Sequence, residues 1–210
     1  MPSLDLEKQL TFAVLRANKL LSRFSQYGAY HHDKVNKGIH MVFVPTILMT
    51  SFLLASNSGA LVDLPYLPLN LGTFACFLYS VLYILMEPVA GALVAPLLFG
   101  GTAYMNYLLQ TYGHNANVVA LIVHVTSWIF QFIGHGAFEH RSPALLDNIF
   151  QAFFLAPFFV WFELLFSFGY RPELRSRIDA AVVNEIAKFR ASKAKKQANG
   201  NGVATNGKTK

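Results

Sequence analysis

The apolar positions of this chain fall into five long runs set between two amphipathic flanks. Leu6, Leu10, Val14, Ala17, Leu21 and Phe24 recur at steps of three or four, which predicts an amphipathic helix over Leu4–Ser25. Its apolar face suits either a bilayer surface or a helix bundle. Tyr27–His40 is polar. Met41–Ala55 is apolar and reaches spanning length when counted from Lys37 or Gly38. Ser56–Pro68, with Asn57, Gly59, Pro65 and Pro68, predicts a connector. Leu69–Met86 reads as a second span, ended by Glu87 and Pro88. Val89–Leu109 reads as a third, in which Gly91, Pro96, Gly100 and Gly101 are tolerable where neighbouring helices approach closely. Thr111–Asn117 predicts a short polar loop, and Val118–Ile133 a fourth span that runs into GHGAFEHRSPALLDN. Ile149–Phe168 is a fifth apolar segment, with Gln151, Pro157 and Glu163 inside it. Pro172–Lys196 predicts a second amphipathic helix, striped by Leu174, Ile178, Val182, Ile186 and Phe189 and decorated with Lys and Arg. The Asn/Gly-rich tail, residues 197–210, predicts disorder.

Composition agrees with a membrane protein. Hydrophobic residues make up 54% of the 210 positions and charged residues 13%, too little charge to cover a soluble domain of this size. The net charge of +6 belongs to the two flanks, since no Lys or Arg occurs between Met41 and Glu139. Basic flanks beside apolar spans suit anionic lipid headgroups, so membrane lipid and not nucleic acid is the expected partner. Cys76 is the only cysteine, which excludes an intramolecular disulfide and a Cys-based metal site. Charges run throughout the first 26 residues, so a cleaved signal peptide is not expected.

Charge also constrains topology. Both basic flanks should be cytoplasmic, which requires an even number of crossings. Five apolar segments conflict with that. The expectation is therefore an all-α, polytopic membrane helix bundle with four full spans. The fifth apolar segment turns back at Pro157 as a re-entrant piece, and amphipathic N- and C-terminal helices flank the whole. In residue ranges, 1–26 is the amphipathic helix and 27–170 the bundle, together one membrane domain; 171–196 is the basic helix and 197–210 the tail. Four crossings place His31–His40 and His135–His140 on one face of the membrane.

Five of the seven histidines lie in those two stretches. Histidine is the commonest metal ligand and the natural proton carrier near neutral pH. Asn36 and His40 are four apart and share a helix face; His31 joins them only through a bend near Gly38 or a loop at His31. His135 and Glu139 are also four apart, presenting an imidazole and a carboxylate on one face. Two histidines and one carboxylate make the facial set of non-haem Fe(II) oxygenases, which leaves open positions. His31, His40, His135 and Glu139 supply that set with one to spare. His124, about three turns before His135, either faces the same pocket or packs between helices. His32 and His140 are placed beside ligand candidates, and His114 in a solvated loop. Glu87 and Glu163 are acids within apolar runs, with either a functional or an interfacial role. Arg141 could pair with a substrate carboxylate or with a headgroup phosphate.

Two stretches, YHHDKVNKGIHMVFVPT and WIFQFIGHGAFEHRSPALLDNIFQAFFLAPFFVWFE, resemble the 2-hydroxy fatty acid dioxygenase family, typified by a yeast enzyme of the endoplasmic reticulum. The resemblance covers roughly Leu6–Tyr170. It rests on Y-H-x4-N-x3-H followed by Q-F-x-G-H-x3-E-x-R-x-P-A-L. Lys34 stands where yeast-type members carry Pro, which removes no ligand candidate. The resemblance implies an Fe(2+)-dependent enzyme of fatty acid α-oxidation in phytosphingosine breakdown, resident in the endoplasmic reticulum membrane. It implies a long-chain 2-hydroxy fatty acid and O2 as substrates, and the acid one carbon shorter plus CO2 as products. By the resemblance, metal ligands would be His31, His40 and His135, with Glu139 nearby, and His124 is not part of the family pattern; on the residues' own placement, Asn36, His124 and Arg141 are expected behind the ligands or against substrate.

Two rivals are weighed against it. A di-iron hydroxylase or desaturase typically needs H-x3-H and H-x2-H-H boxes, and the chain has neither. A non-enzymatic transporter or scaffold would draw on the Gly/Pro-interrupted third run, but the histidines then lie at span ends instead of the midplane.

Overall fold

The computed structural model describes residues 21–25, 27–28, 31–139 and 151–205. Every regular element among them is helical. Helix α1 is Lys34–Ala55, extended by a 3-10 turn at Ser56–Ser58; α2 is Leu71–Met86; α3 is Pro88–Tyr112. Helix α4 is His114–Ile133 and continues as a π-helical turn over Gly134–Glu139. A second π-helical turn, Gln151–Leu155, opens α5, Ala156–Ser167, and α6 is Pro172–Thr205.

The caps show why these helices start where they do. Asp33 is extended, and its carboxylate accepts from the N–H groups of Val35 and Asn36, which starts α1 within the polar stretch. Asn70 caps α2 by accepting from the Thr73 N–H. Glu87 ends α2 and caps α3, accepting from the Ala90 N–H at 2.6 Å, while Pro88 fills the first helical position. An acid between two apolar runs is thus a hinge, and Tyr170 donates to the same carboxylate at 2.9 Å.

Thr111–Asn117 does not form the loop its polarity suggests. α3 and α4 meet at the single residue Gly113, whose φ of 52° favours glycine. The polar side chains there sit on helix ends, where water or headgroups can reach them. The basic helix also differs: α6 continues past Lys196 to Thr205. Gln197 and Ala198 favour helix, and the Gly200 and Gly202 penalties of about 1 kcal/mol each do not end it. Of the predicted N-terminal helix, Leu21–Ser25 is helical and the remainder lies outside the described residues.

The chain divides into two compact units. One spans residues 30–170. The other joins residues before position 30 to those from Arg171 on, where Gly28 lies against the Val182 side chain.

In the larger unit, α1 and α4 run antiparallel. Phe43 stacks on Phe130 with centroids 4.6 Å apart, Thr50 meets His124 at 2.9 Å, and Asn57 and Asn117 exchange side-chain hydrogen bonds of 2.8 and 2.9 Å. α2 and α3 form a second antiparallel pair, hinged at Glu87 and tied at the other end by Asn70 donating to Asn106 at 2.8 Å. The His31 loop, the Glu87 hinge and Glu139 therefore share one end. The Ser56–Asn70 connector and Gly113 share the other.

α5 starts part-way along the bundle. The Tyr79 hydroxyl donates to the Phe153 carbonyl, and Tyr83 stacks on Phe158. Further on, Trp161 donates to the Ala90 carbonyl and Lys37 pairs with Glu163 at 3.0 Å, both at the histidine end. Pro157 sits in the first turn of α5, and since the π-helical turn runs straight into it, the missing N–H leaves the Phe153 carbonyl four residues earlier to the Tyr79 hydroxyl.

Among the described residues, three helices are long and apolar enough to cross a membrane: Lys34–Ser58, Pro88–Tyr112 and His114–Glu139. Leu71–Met86 and Phe153–Ser167 are apolar but shorter. Leu121, Ile122, Val125 and Ile129 of α4 are all exposed, an apolar surface of the kind that faces lipid.

Candidate metal centre

His31 stands in irregular chain just before the Asp33 cap, so the loop is what lets it double back towards His40. His40 lies on α1, one turn beyond Asn36. His135 comes from the π-helical turn at the end of α4. The antiparallel register brings the three rings together, with centroids 4.3, 4.7 and 4.9 Å apart. All three are buried, and each offers a nitrogen within 4.8 Å of the other two.

Those three histidines could hold a metal ion. Imidazole nitrogens about 2.1 Å from one ion lie at most about 4 Å apart, so closure needs only small side-chain movements. The tautomer of His40 is fixed: Nδ1 lies 2.9 Å from the Asn36 carbonyl, which can only accept. Nδ1 therefore carries the proton and Nε2 keeps a lone pair for a ligand. Three neutral imidazoles suit Zn, Cu, Fe or Ni, and three protein ligands leave positions open for a substrate.

Glu139 is engaged elsewhere. Its side chain is 1% exposed; Oε1 accepts from the Asp33 N–H at 2.9 Å and from Asn36 Nδ2 at 3.2 Å, and Oε2 pairs with His32. The carboxylate thus ties the chain around His31 to the turn that carries His135. Asn36, fully buried, serves both sides: its carbonyl orients His40 and its amide holds Glu139. Gly134 makes this contact possible, because a Cβ there would collide with Asn36 Oδ1.

His124 lies outside the cluster. Trp128 Nε1 donates to its Nε2 at 3.0 Å, so Nδ1 carries the proton and donates to Thr50 Oγ1 at 2.9 Å. It joins α1 to α4 within the apolar run. His114 is exposed at the start of α4. His140 and Arg141 lie outside the described residues.

The sequence reading missed Gln131. It is buried one turn before His135 and shares its face. The same spacing that pointed to His124 also runs through Ser127 and Gln131. An apolar cleft of about 570 Å³ lies between α1, α3 and α4, lined among others by Pro45, Met49, Leu53 and Val119. Met49 is nine positions after His40, two and a half turns, so the cleft is on the far side of α1 from the histidines.

A buried three-histidine cluster at one end of an antiparallel set of apolar helices defines a candidate membrane metalloprotein. The family described as "Mpo1-like: 2-hydroxy-palmitic acid dioxygenase Mpo1-like" matches residues 17–168, and the chain belongs to that family. It is 35% identical over 163 residues to the 2-hydroxy-palmitic acid dioxygenase MPO1 of Saccharomyces cerevisiae, covering 76% of this chain and 87% of the yeast protein. No solved structure matches it.

Proposed function

We propose that this protein is an Fe(II)-dependent dioxygenase of long-chain 2-hydroxy fatty acids, embedded in the endoplasmic reticulum membrane. The observation that carries the reading is the buried His31–His40–His135 cluster, in a chain 35% identical to a 2-hydroxy-palmitic acid dioxygenase. The balanced reaction is R–CH(OH)–COOH + O2 → R–COOH + CO2 + H2O. The substrate carbon supplies all four electrons that O2 takes up, so no further reductant is needed.

His31, His40 and His135 would hold the iron. Bound iron supplies the redox centre at which O2 can react with a closed-shell acid. Asn36 sets the His40 tautomer, and Glu139 keeps the His31 loop against the π-helical turn. His124 is a packing residue. A site at the end of the helices lets the polar head of a 2-hydroxy acid stay near the interface. Its alkyl chain then lies among apolar side chains, with about 0.8 kcal/mol gained per buried CH2. A transporter site would sit nearer the middle of the helices.

The same reading includes four crossings, with α2 as the shortest, and α5 as a re-entrant segment. Contacts of Phe153 with Tyr79 and Trp128, followed by return of Glu163 to Lys37, support that path. Lys34 and Lys37 at the histidine end favour the cytoplasmic side.

The test uses purified protein stripped of metal, reloaded with Fe(II) and given 2-hydroxy palmitate under O2, with product length read by mass spectrometry. The C15 acid is expected, and it should vanish in His31→Ala, His40→Ala and His135→Ala. No C15 acid from the wild type overturns the function, and full activity in the three variants overturns the site. Protection of a C-terminal tag from cytosolic protease would defeat the topology.

A further inference from the structure

Gln131 is 4% exposed, and its Nε2 has no hydrogen-bond partner among the described residues. An amide donor buried without an acceptor is costly in an apolar helix pair, which calls for a ligand that supplies one. Its place is fixed by the register. Phe43 faces Phe130 and Asn36 lies over Gly134, so Gln131 is level with His40 across the α1–α4 interface. It also shares the face of His135, one turn further into the bundle. The donor therefore lies level with His40 and one turn deeper than His135, where the head of a ligand held by the histidines can meet it.

We propose that Gln131 Nε2 donates a hydrogen bond to the carboxylate of a 2-hydroxy acid bound at the histidine cluster. This rests on the dioxygenase reading and deepens it by naming a residue that selects the acid head. A carboxylate offers up to four acceptor sites. One oxygen can face the metal while another takes the amide proton. A 1,2-diol of the same chain length presents two hydroxyls and no charge, so it gains much less from this donor.

The test is equilibrium binding to the Fe(II)-loaded protein in detergent, without O2, so that no turnover occurs. The probes are radiolabelled 2-hydroxy palmitate and 1,2-hexadecanediol. In Gln131→Leu, metal content should match the wild type, affinity for the acid should fall at least about tenfold, and affinity for the diol should stay within about twofold. Gln131→Met, of similar volume, should behave the same way and guards against a packing defect peculiar to leucine. Unchanged affinity for the acid in metal-replete Gln131→Leu overturns the proposal. So does an equal loss for acid and diol, or a loss of metal and thermal stability with the acid-to-diol ratio intact, since each assigns the amide to structure. If the wild type binds neither probe, the dioxygenase reading itself fails, an outcome distinct from all of these.

Discussion

Replacing Glu139 separates two roles that a carboxylate beside three histidines could play. As a metal ligand, it would matter only when metal is bound. As a clamp, it matters in the metal-free protein too. The geometry favours the clamp: Oε1 holds the Asp33 N–H at 2.9 Å and Asn36 Nδ2 at 3.2 Å, with the side chain 1% exposed. Glu139→Ala leaves both donors without that acceptor at about 1–3 kcal/mol each, so the metal-free protein should lose roughly 2–6 kcal/mol. The His32 contact adds little, because His32 is 44% exposed. Loosening the His31 loop should then weaken metal binding about 10- to 100-fold, the usual effect of losing a group that orients a ligand. Glu139→Gln keeps a carbonyl oxygen for the Asp33 and Asn36 donors, so it should retain most of the stability and bind metal nearly as wild type. The assays are thermal unfolding in detergent with chelator present, and competition titration of metal. The clamp is refuted if metal-free Glu139→Ala unfolds at the wild-type temperature while Glu139→Gln loses metal as completely as Glu139→Ala.

Gly134→Ala places a methyl group against Asn36 Oδ1, whose amide is already held by Glu139. Overpacking of about 1–3 kcal/mol and weaker metal binding are expected by the same titration, and unchanged metal affinity would count against Asn36 as the support of His40. His124→Phe removes the acceptor for Trp128 Nε1 and the donor to Thr50, so thermal stability should fall by about 1–3 kcal/mol. Its metal content should equal the wild type, and loss of metal would mean that His124 supports the site and does more than pack. Asn70→Ala removes the cap of α2 and the partner of Asn106, at the end remote from the histidines. It should cost about 2–4 kcal/mol in thermal unfolding with no change in metal affinity.

The parts of the site legible in the sequence are those that spacing controls. Asn36 and His40, four apart on one helix, do meet through the Asn36 carbonyl. The requirement for either a loop at His31 or a bend at Gly38 is met by the loop, because Asp33 starts α1 after it. Spacing could not say what Glu139 faces. An i,i+4 relation puts it on the His135 side of the helix, but its partners come from Asp33 and Asn36, about a hundred residues away in the chain. The π-helical turn carries no simple hydrophobic signature, and Glu87 reads as an anomalous acid until its two helix ends are seen. Gly113 escaped for a related reason. Polarity marks the end of a span, and a single glycine with positive φ can turn the chain where a seven-residue loop was expected.

The irregular backbone at the start of α5 connects this local chemistry to the membrane. A π-helical turn inside hydrocarbon frees carbonyls that lipid cannot satisfy, and such backbone is tolerated only where protein covers it. Here the Phe153 carbonyl accepts from the Tyr79 hydroxyl, Phe154 stacks on Tyr79 and Phe153 lies against Trp128. The next turns, Phe158, Phe159 and Phe162, are almost fully buried. From there α5 rises to Glu163, which meets Lys37 three residues before His40. The segment that charge bias asks to turn back therefore has a satisfied starting point in the bundle and ends beside the histidines. A fifth full crossing would remove Glu163 from Lys37 and Tyr170 from the Glu87 hinge. The proposed return thus keeps two polar contacts at the end of the bundle where the three histidines meet.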